Sequence, residues 1–486
     1  AYMNTTVTAN ALSNNMFATK GGQNSILGRS GVLDKLTLDS WVLDARDSYG
    51  VSYNLKAVIS GINLIKDVDE LTFKSSSGLE ANSIVAEDNG QNQIENASKI
   101  DIAVKGGKTT YGLNANRGGR NSITGEDMQI DIEARGGAVS LGPNIYGMFA
   151  SGTGSENRII DSGTLNLNIA ALANDLANVP NVVGMSGGSG GGNVIHSDGD
   201  INLTIKAGSE NTGSGYWSSV GMSGNNHVTT NGKLNVNISA KDNYGGLKGS
   251  MAMYASSGHK NIIESLANGD VDDTIYLDGS VYSSTGPEEY GNFLVTRAGD
   301  DQITITGGLF AGNWDHGLHN NSITGGHNHI YVGDGNDTLY IGGNVNSNAF
   351  YNASNNACVN GSSNIIDMGY YTDHNKNVLS TDNGKNTLTI GGQITNRGYS
   401  GSSKKLDANT TIRFGQGEGV MEVAGGMKLD EYASFDYLAL GGKKSVEFGG
   451  GITATYGGEA RFNFAADDNV TSAAANDFTL KAAGFN

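Results

Sequence analysis

The sequence predicts an all-β fold, a parallel β-helix (β-solenoid) of roughly a dozen three-sided coils with loop insertions. Three observations carry the prediction. A short strand recurs as Tyr111-Gly-Leu-Asn-Ala, Tyr146-Gly-Met-Phe-Ala, Val183-Gly-Met-Ser-Gly, Val220-Gly-Met-Ser-Gly and Met251-Ala-Met-Tyr-Ala, at steps of 35, 37, 37 and 31 residues. Leu165, Leu167 and Ile169 alternate with Asn166 and Asn168, a period of two that places the aliphatics on one face. The composition holds 73 Gly but only 3 Pro, which suits many turns joined by strands that cannot spare ladder donors. A unit this small cannot bury an apolar face alone, so copies must stack.

Taken in order, residues 1–20 alternate weakly and are expected to cap the first coil or to pair with a neighbouring chain. Residues 21–265 hold the regular coils. There the first strand class is followed by Asn-x-aliphatic (Asn121/Ile123, Asn157/Ile159, Asn193/Ile195, Asn226/Val228, Asn261/Ile263), then by an alternating aliphatic strand. The Ala/Leu-rich insertion Ala170–Pro180 reads as a short helix stopped by proline. From 266 to 430 the units change to forms such as Asp273-Thr-Ile-Tyr-Leu-Asp-Gly and Asp337-Thr-Leu-Tyr-Ile-Gly-Gly, at irregular steps that imply longer loops. Residues 431–486 hold terminal coils and a tail that reads as a weak hairpin or an export segment. The Met148, Met185, Met222 and Met253 column is a core stripe. Each recurring Asn has two open readings: a side-chain amide ladder between coils, or a turn former.

A net charge of −18 without clustered Lys or Arg excludes a nucleic-acid partner. No apolar run is long enough for a membrane-spanning helix. Cys358 is the only cysteine, so no intrachain disulfide can form.

Several segments carry candidate chemistry. Gly333-Asp-Gly-Asn-Asp-Thr-Leu-Tyr340 offers turn glycines beside hard carboxylate oxygens, and weaker copies surround Asp272, Asp273, Asp300 and Asp301. With Asp334 and Asp337 these are the calcium candidates; ordinary Gly/Asp turns are the alternative. His327 and His329, at i and i+2, face one side of a strand and are transition-metal candidates, with His319 or Asp315 as a third ligand. The Gly187–Gly191 match to Gly-x-Ser-x-Gly lies in a glycine run without strand-turn-helix context and is set aside. Asp300, Asp301, Asp315 and Glu288/Glu289 are the only acidic concentration in the second half of the chain that a β-helix lyase or glycosidase could use, and none has an evident basic partner.

Tyr-Gly-Met-x-Ala-Ser-Gly, Asn-x-Ile and Leu-Asn-Leu-Asn-Ile-Ala together resemble the passenger repeats of bacterial autotransporter adhesins. Asn-Asp-Thr-Leu-Tyr-Ile-Gly-Gly resembles the calcium-binding RTX-like repeats of type I-secreted surface proteins, although Val332 stands where that motif has Gly. The resemblance covers most of residues 80–450. It implies a secreted bacterial protein, extracellular or on the cell surface, that is non-enzymatic and acts in adhesion or matrix formation. Its expected partner is itself, through end-to-end stacking or terminal strand exchange. The competing expectation is a monomeric adhesin gripping glycans or cell surfaces through loops at 170–181, 208–219, 282–291 and 346–363.

Overall fold

The computed structural model describes residues 2–9, 12–28, 35–42, 50–107, 109–136, 144–173, 181–188, 190–209, 219–241, 250–256, 258–267, 269–284, 290–312, 326–348, 351–352, 357–358, 361–369, 384–400, 405–463 and 477–485. They form two compact units, Ala1–Ala252 and Met253–Asn486. Among the described residues there is no helix, and every sheet is parallel apart from two small antiparallel pairs, Tyr351/Cys358 and Tyr399/Leu406. Each unit is a three-sided parallel β-helix; among the described residues each holds seven three-strand coils, and unit 1 has one further first-face strand, Leu234–Lys241.

In unit 1 the first face runs from Tyr2–Ala9 through Lys35–Val42 to Leu234–Lys241. The second runs from Leu12–Thr19 to Ser219–Gly224, and the third from Gln23–Leu27 to Asn226–Thr230. Residues 2–19, expected to cap or exchange, are therefore laid down as two strands of the first coil, in register with Lys35–Val42 and Val51–Val58.

The interior is built from columns. On the first face Ile132 lies opposite Ile169 and Ile169 opposite Ile205, each at most 2% exposed. On the second face Met148, Met185 and Met222 form the next column, fully buried. On the third, Ile123, Ile159, Ile195 and Val228 complete the triangle.

The glycine before each methionine has a packing reason. A Cβ at Gly147 would sit 2.2 Å from Ile169 Cγ2, and one at Gly184 would sit 2.2 Å from Ile205 Cγ2. The isoleucine column of the first face thus presses on bare backbone in the second.

Two local expectations are corrected. Ala170–Ala173 is not helical but completes the strand Leu165–Ala173, with Ala171 and Ala173 in one buried cluster with Ala134, Ile145, Val182 and Ala207. Small inward residues in register with Ala134 and Ala207 outweigh alanine's helix propensity; residues 174–180 lie outside the described residues. The C-terminal segment is not a hairpin either. Glu459–Asn463 extends the third face beside Ser434–Ala439, and Asp477–Lys481 extends the first face beside Lys443–Phe448, both in parallel.

Candidate functional site

The recurring asparagines sit inside the coil. In unit 1, Asn24, Asn63, Asn92, Asn121, Asn157, Asn193 and Asn226 are linked Nδ2 to Oδ1, each amide donating to the next coil's amide over 2.7–2.9 Å. In unit 2, Asn261, Asn292, Asn328 and Asn364 repeat the ladder at 2.9 Å. The second hydrogen of the same amide closes the corner between the second and third faces. Asn63 donates to the Lys56 carbonyl at 3.0 Å, Asn92 to Val85 at 2.7 Å and Asn157 to Phe149 at 2.8 Å. Of the two readings open from the sequence, the ladder is the one observed. Its polar atoms are spent on holding the coils together.

The aspartates at 272–337 lie at the corner between the third and first faces of unit 2, and they act in pairs of opposite sense. Asp301 Oδ1 accepts the Asp273 N–H of the preceding coil at 2.8 Å, Asp337 Oδ1 accepts the Asp301 N–H at 3.0 Å, and Asn386 Oδ1 accepts the Asp337 N–H at 3.0 Å. The exposed neighbours point the other way: Asp272 Oδ1 accepts the Asp300 N–H at 2.9 Å, and Asp300 Oδ1 accepts the Asn336 N–H at 2.8 Å. Asp334 is exposed, and its carbonyl accepts the Gly299 N–H at 2.8 Å.

The carboxylates are thus turned along the stacking direction toward backbone donors. Among the described residues no group of three or more His, Cys, Asp or Glu converges on a common point for a metal. Asp273, Asp301 and Asp337 are at most 2% exposed. Burial is the main cause that pushes the Asp301 carboxyl up to about 7; the Asp273 N–H and the Thr296 hydroxyl oppose the rise, and the Asp273 and Asp272 carboxylates add to it.

His327 and His329 do share one side of the strand Gly326–Val332, but each already has a protein partner. His327 Nδ1 lies 2.8 Å from Ser363 Oγ, and His329 Nε2 lies 2.9 Å from Asp367 Oδ2. Asp367, 1% exposed, also receives Arg413 as a two-pronged donor, with Nη2 to Oδ2 at 2.6 Å. The outcome is an ion-pair cluster across three coils of the third face, in which Arg413 supplies the charge that a metal would otherwise bring. Asp367 and Arg413 carry no local motif. Only their register, residue opposite residue in neighbouring coils, brings them together.

Asp315, His316, His319, Glu288 and Glu289 lie outside the described residues, as do most of the expected recognition loops. Cys358 lies in the strand Ala357–Cys358, opposite Tyr351. Comparison with protein-family models, with curated proteins and with solved structures returns no match.

Proposed function

We propose that the protein is an extracellular structural subunit, a β-solenoid that associates with copies of itself through its open coils into a filament or surface matrix, without catalysing a reaction. The observation that carries this reading is that each coil's inward side chains are covered by the coils on either side of it, as the first described coil of unit 1 and the last of unit 2 show by contrast. In the first coil, the inward Asn24 and Ile26 are half-exposed, whereas Asn63 and Ile65 one coil inside are fully buried. In the last coil of unit 2, Ala460 and Phe462 are half-exposed, whereas Phe435 and Tyr437 beneath them are at most 1% exposed.

Among the described residues, Tyr2–Ala9, Leu12–Thr19, Gln23–Leu27, Glu459–Asn463 and Asp477–Lys481 pair with a strand on one side only, whereas Ile452 is also bridged to Phe485. What satisfies such a surface is another β-strand in parallel register, which completes both the backbone ladder and the apolar column. The low charge density and the bacterial surface-protein resemblance support the extracellular assignment.

The test is negative-stain microscopy together with light scattering of the purified chain across salt concentrations. Filaments or sheets that shorten when Ile26 is replaced by Lys are expected. Monodisperse monomers at every salt and protein concentration would defeat the proposal.

A further inference from the structure

The outer side of the second face in unit 1 carries a stack of aromatic rings. Gly147 and Met148 are consecutive, yet both face the core: a Cβ on the first would meet Ile169, and the second is fully buried. The in–out alternation therefore slips by one residue, and Tyr146 and Phe149, three apart, emerge on the same side with ring centroids 4.9 Å apart. Tyr111, one coil earlier, stacks on Tyr146 at 5.2 Å with the planes 5° apart, and lies 5.3 Å from Phe149. All three rings are part-exposed.

The same column continues toward the N-terminus as Asn82 and then Tyr53. Asn82 is fully buried among these residues. Its Nδ2 donates to Glu80 Oε1 at 2.9 Å, but its Oδ1 has no partner. Lys56 holds its ammonium 3.9 Å above the Tyr53 ring. Burial raises the Tyr53 and Tyr111 phenols well above their usual range, and Glu80 and Glu87, close to both, raise them further.

We propose that this strip binds a neutral glycan, whose pyranose rings lie on Tyr111, Tyr146 and Phe149 while one hydroxyl donates to the unpaired Asn82 carbonyl. The chemistry selects the class. The rings offer flat apolar surface in line along the stack, which suits the C–H face of a sugar. Of the polar groups beside them, Asn82 Oδ1 and the Glu80 and Glu87 carboxylates are acceptors that call for donors from the ligand, while the Lys56 ammonium is already engaged on the Tyr53 ring. Hydroxyls supply them, and the two carboxylates repel uronic or sulfated sugars. A peptide strand would need an open backbone edge, and these strands are paired on both sides. Tyr53, 8% exposed, is the neighbour of Asn82 in the preceding coil, and its ring must turn aside for a hydroxyl to enter. The site lies within unit 1 and does not depend on self-association.

The experiment is titration calorimetry of the full chain with cellohexaose, maltohexaose and chitohexaose, and with hexagalacturonate as the anionic counterpart. At least one neutral hexasaccharide is expected to bind at millimolar concentration or tighter. Tyr146→Ala should weaken that binding roughly tenfold by removing one stacking surface. Asn82→Leu, which fills the same space without an acceptor, should weaken it several-fold, and Tyr276→Ala, on the first face of unit 2, should leave it unchanged. Circular dichroism checks the fold, and Asn82→Leu stands as the deciding variant if Tyr146→Ala does not fold. The proposal is overturned if no neutral hexasaccharide binds, if binding survives Asn82→Leu undiminished, or if hexagalacturonate binds as tightly as the neutral sugars.

Discussion

Replacing Asn157 by Ala probes the amide ladder where it is most completely enclosed. The Asn157 side chain is fully buried and makes three hydrogen bonds of 2.8 Å: Nδ2 to Asn193 Oδ1, Nδ2 to the Phe149 carbonyl, and Oδ1 from Asn121 Nδ2. Alanine removes all three. Asn121 Nδ2 keeps its bond to the Asn114 carbonyl at 2.8 Å, but Asn193 Oδ1 and the Phe149 carbonyl each lose a donor. At about 1 kcal/mol net per bond, plus about 1–3 kcal/mol for a buried group left unsatisfied, the loss comes to about 4–6 kcal/mol.

Coils contact only their neighbours, so the loss should be local. Hydrogen exchange should rise in Glu156–Asp161 and in the flanking strands Arg120–Gly125 and Gly192–Ser197. The denaturant midpoint of unit 1 should fall with it. Asn157→Asp keeps the shape and the acceptor but loses both donors and sets a carboxylate against two carbonyl oxygens, so it should cost at least as much. Asn166 is the control. It is also an amide in a ladder, accepting from Asn202 at 2.9 Å, but it is exposed, and Asn166→Ala should cost under about 0.5 kcal/mol. If Asn157→Ala costs no more than Asn166→Ala, the buried ladder is incidental and the asparagines serve only the turn.

Gly184→Val should destabilise unit 1 by about 3 kcal/mol or prevent its folding, because the new Cβ would lie 2.2 Å from Ile205 Cγ2 and 2.7 Å from the Gly221 carbonyl; thermal melting reads the loss. Asp301 should make unit 2 less stable as pH rises. Its carboxyl titrates near 3.8 when unfolded and about 7 when folded, so between these values the folded state holds a proton that the unfolded state has released. Its contribution is complete below about pH 4 and lost by about pH 7; at about 1.4 kcal/mol per pH unit it amounts to at most about 4 kcal/mol. Asp301→Asn should flatten that part of the pH profile, and an unchanged profile would show that this carboxyl is not the group responsible. Chelation of divalent cations should leave the melting temperature of the chain unchanged, since the corner carboxylates already accept backbone N–H groups; a drop of several degrees would instead reveal a bound ion.

Much of the fold is legible in the residues because a solenoid keeps its long-range contacts at nearly fixed sequence separation. Alternation in Leu165–Ile169 names the inward face, and the repeat step names the partner, so the stacking of Ile132, Ile169 and Ile205 follows from spacing alone. The same logic identifies the methionine column and the corner aspartates as repeating features. Alanine at 170–173 misleads because its helix preference is a local quantity, whereas its small size in register with Ala134 and Ala207 is a property of three coils together.

Period and composition, then, determine by themselves that this chain coils into three stacked parallel sheets around narrow aliphatic columns. Tertiary structure decides what the polar atoms do. Asparagine serves equally well in a turn or in a ladder, and an aspartate offers the same oxygens to an ion or to an N–H, so sequence cannot choose between them. Asp367 meets His329 and Arg413 only across the coils, over separations of 38 and 46 residues, and Tyr146 meets Phe149 only because the alternation slips at Gly147 and Met148. Hydrophobic burial depends on which face a residue occupies, which a period can encode. Hydrogen bonding depends on distance and direction to one particular partner, which only the folded chain supplies.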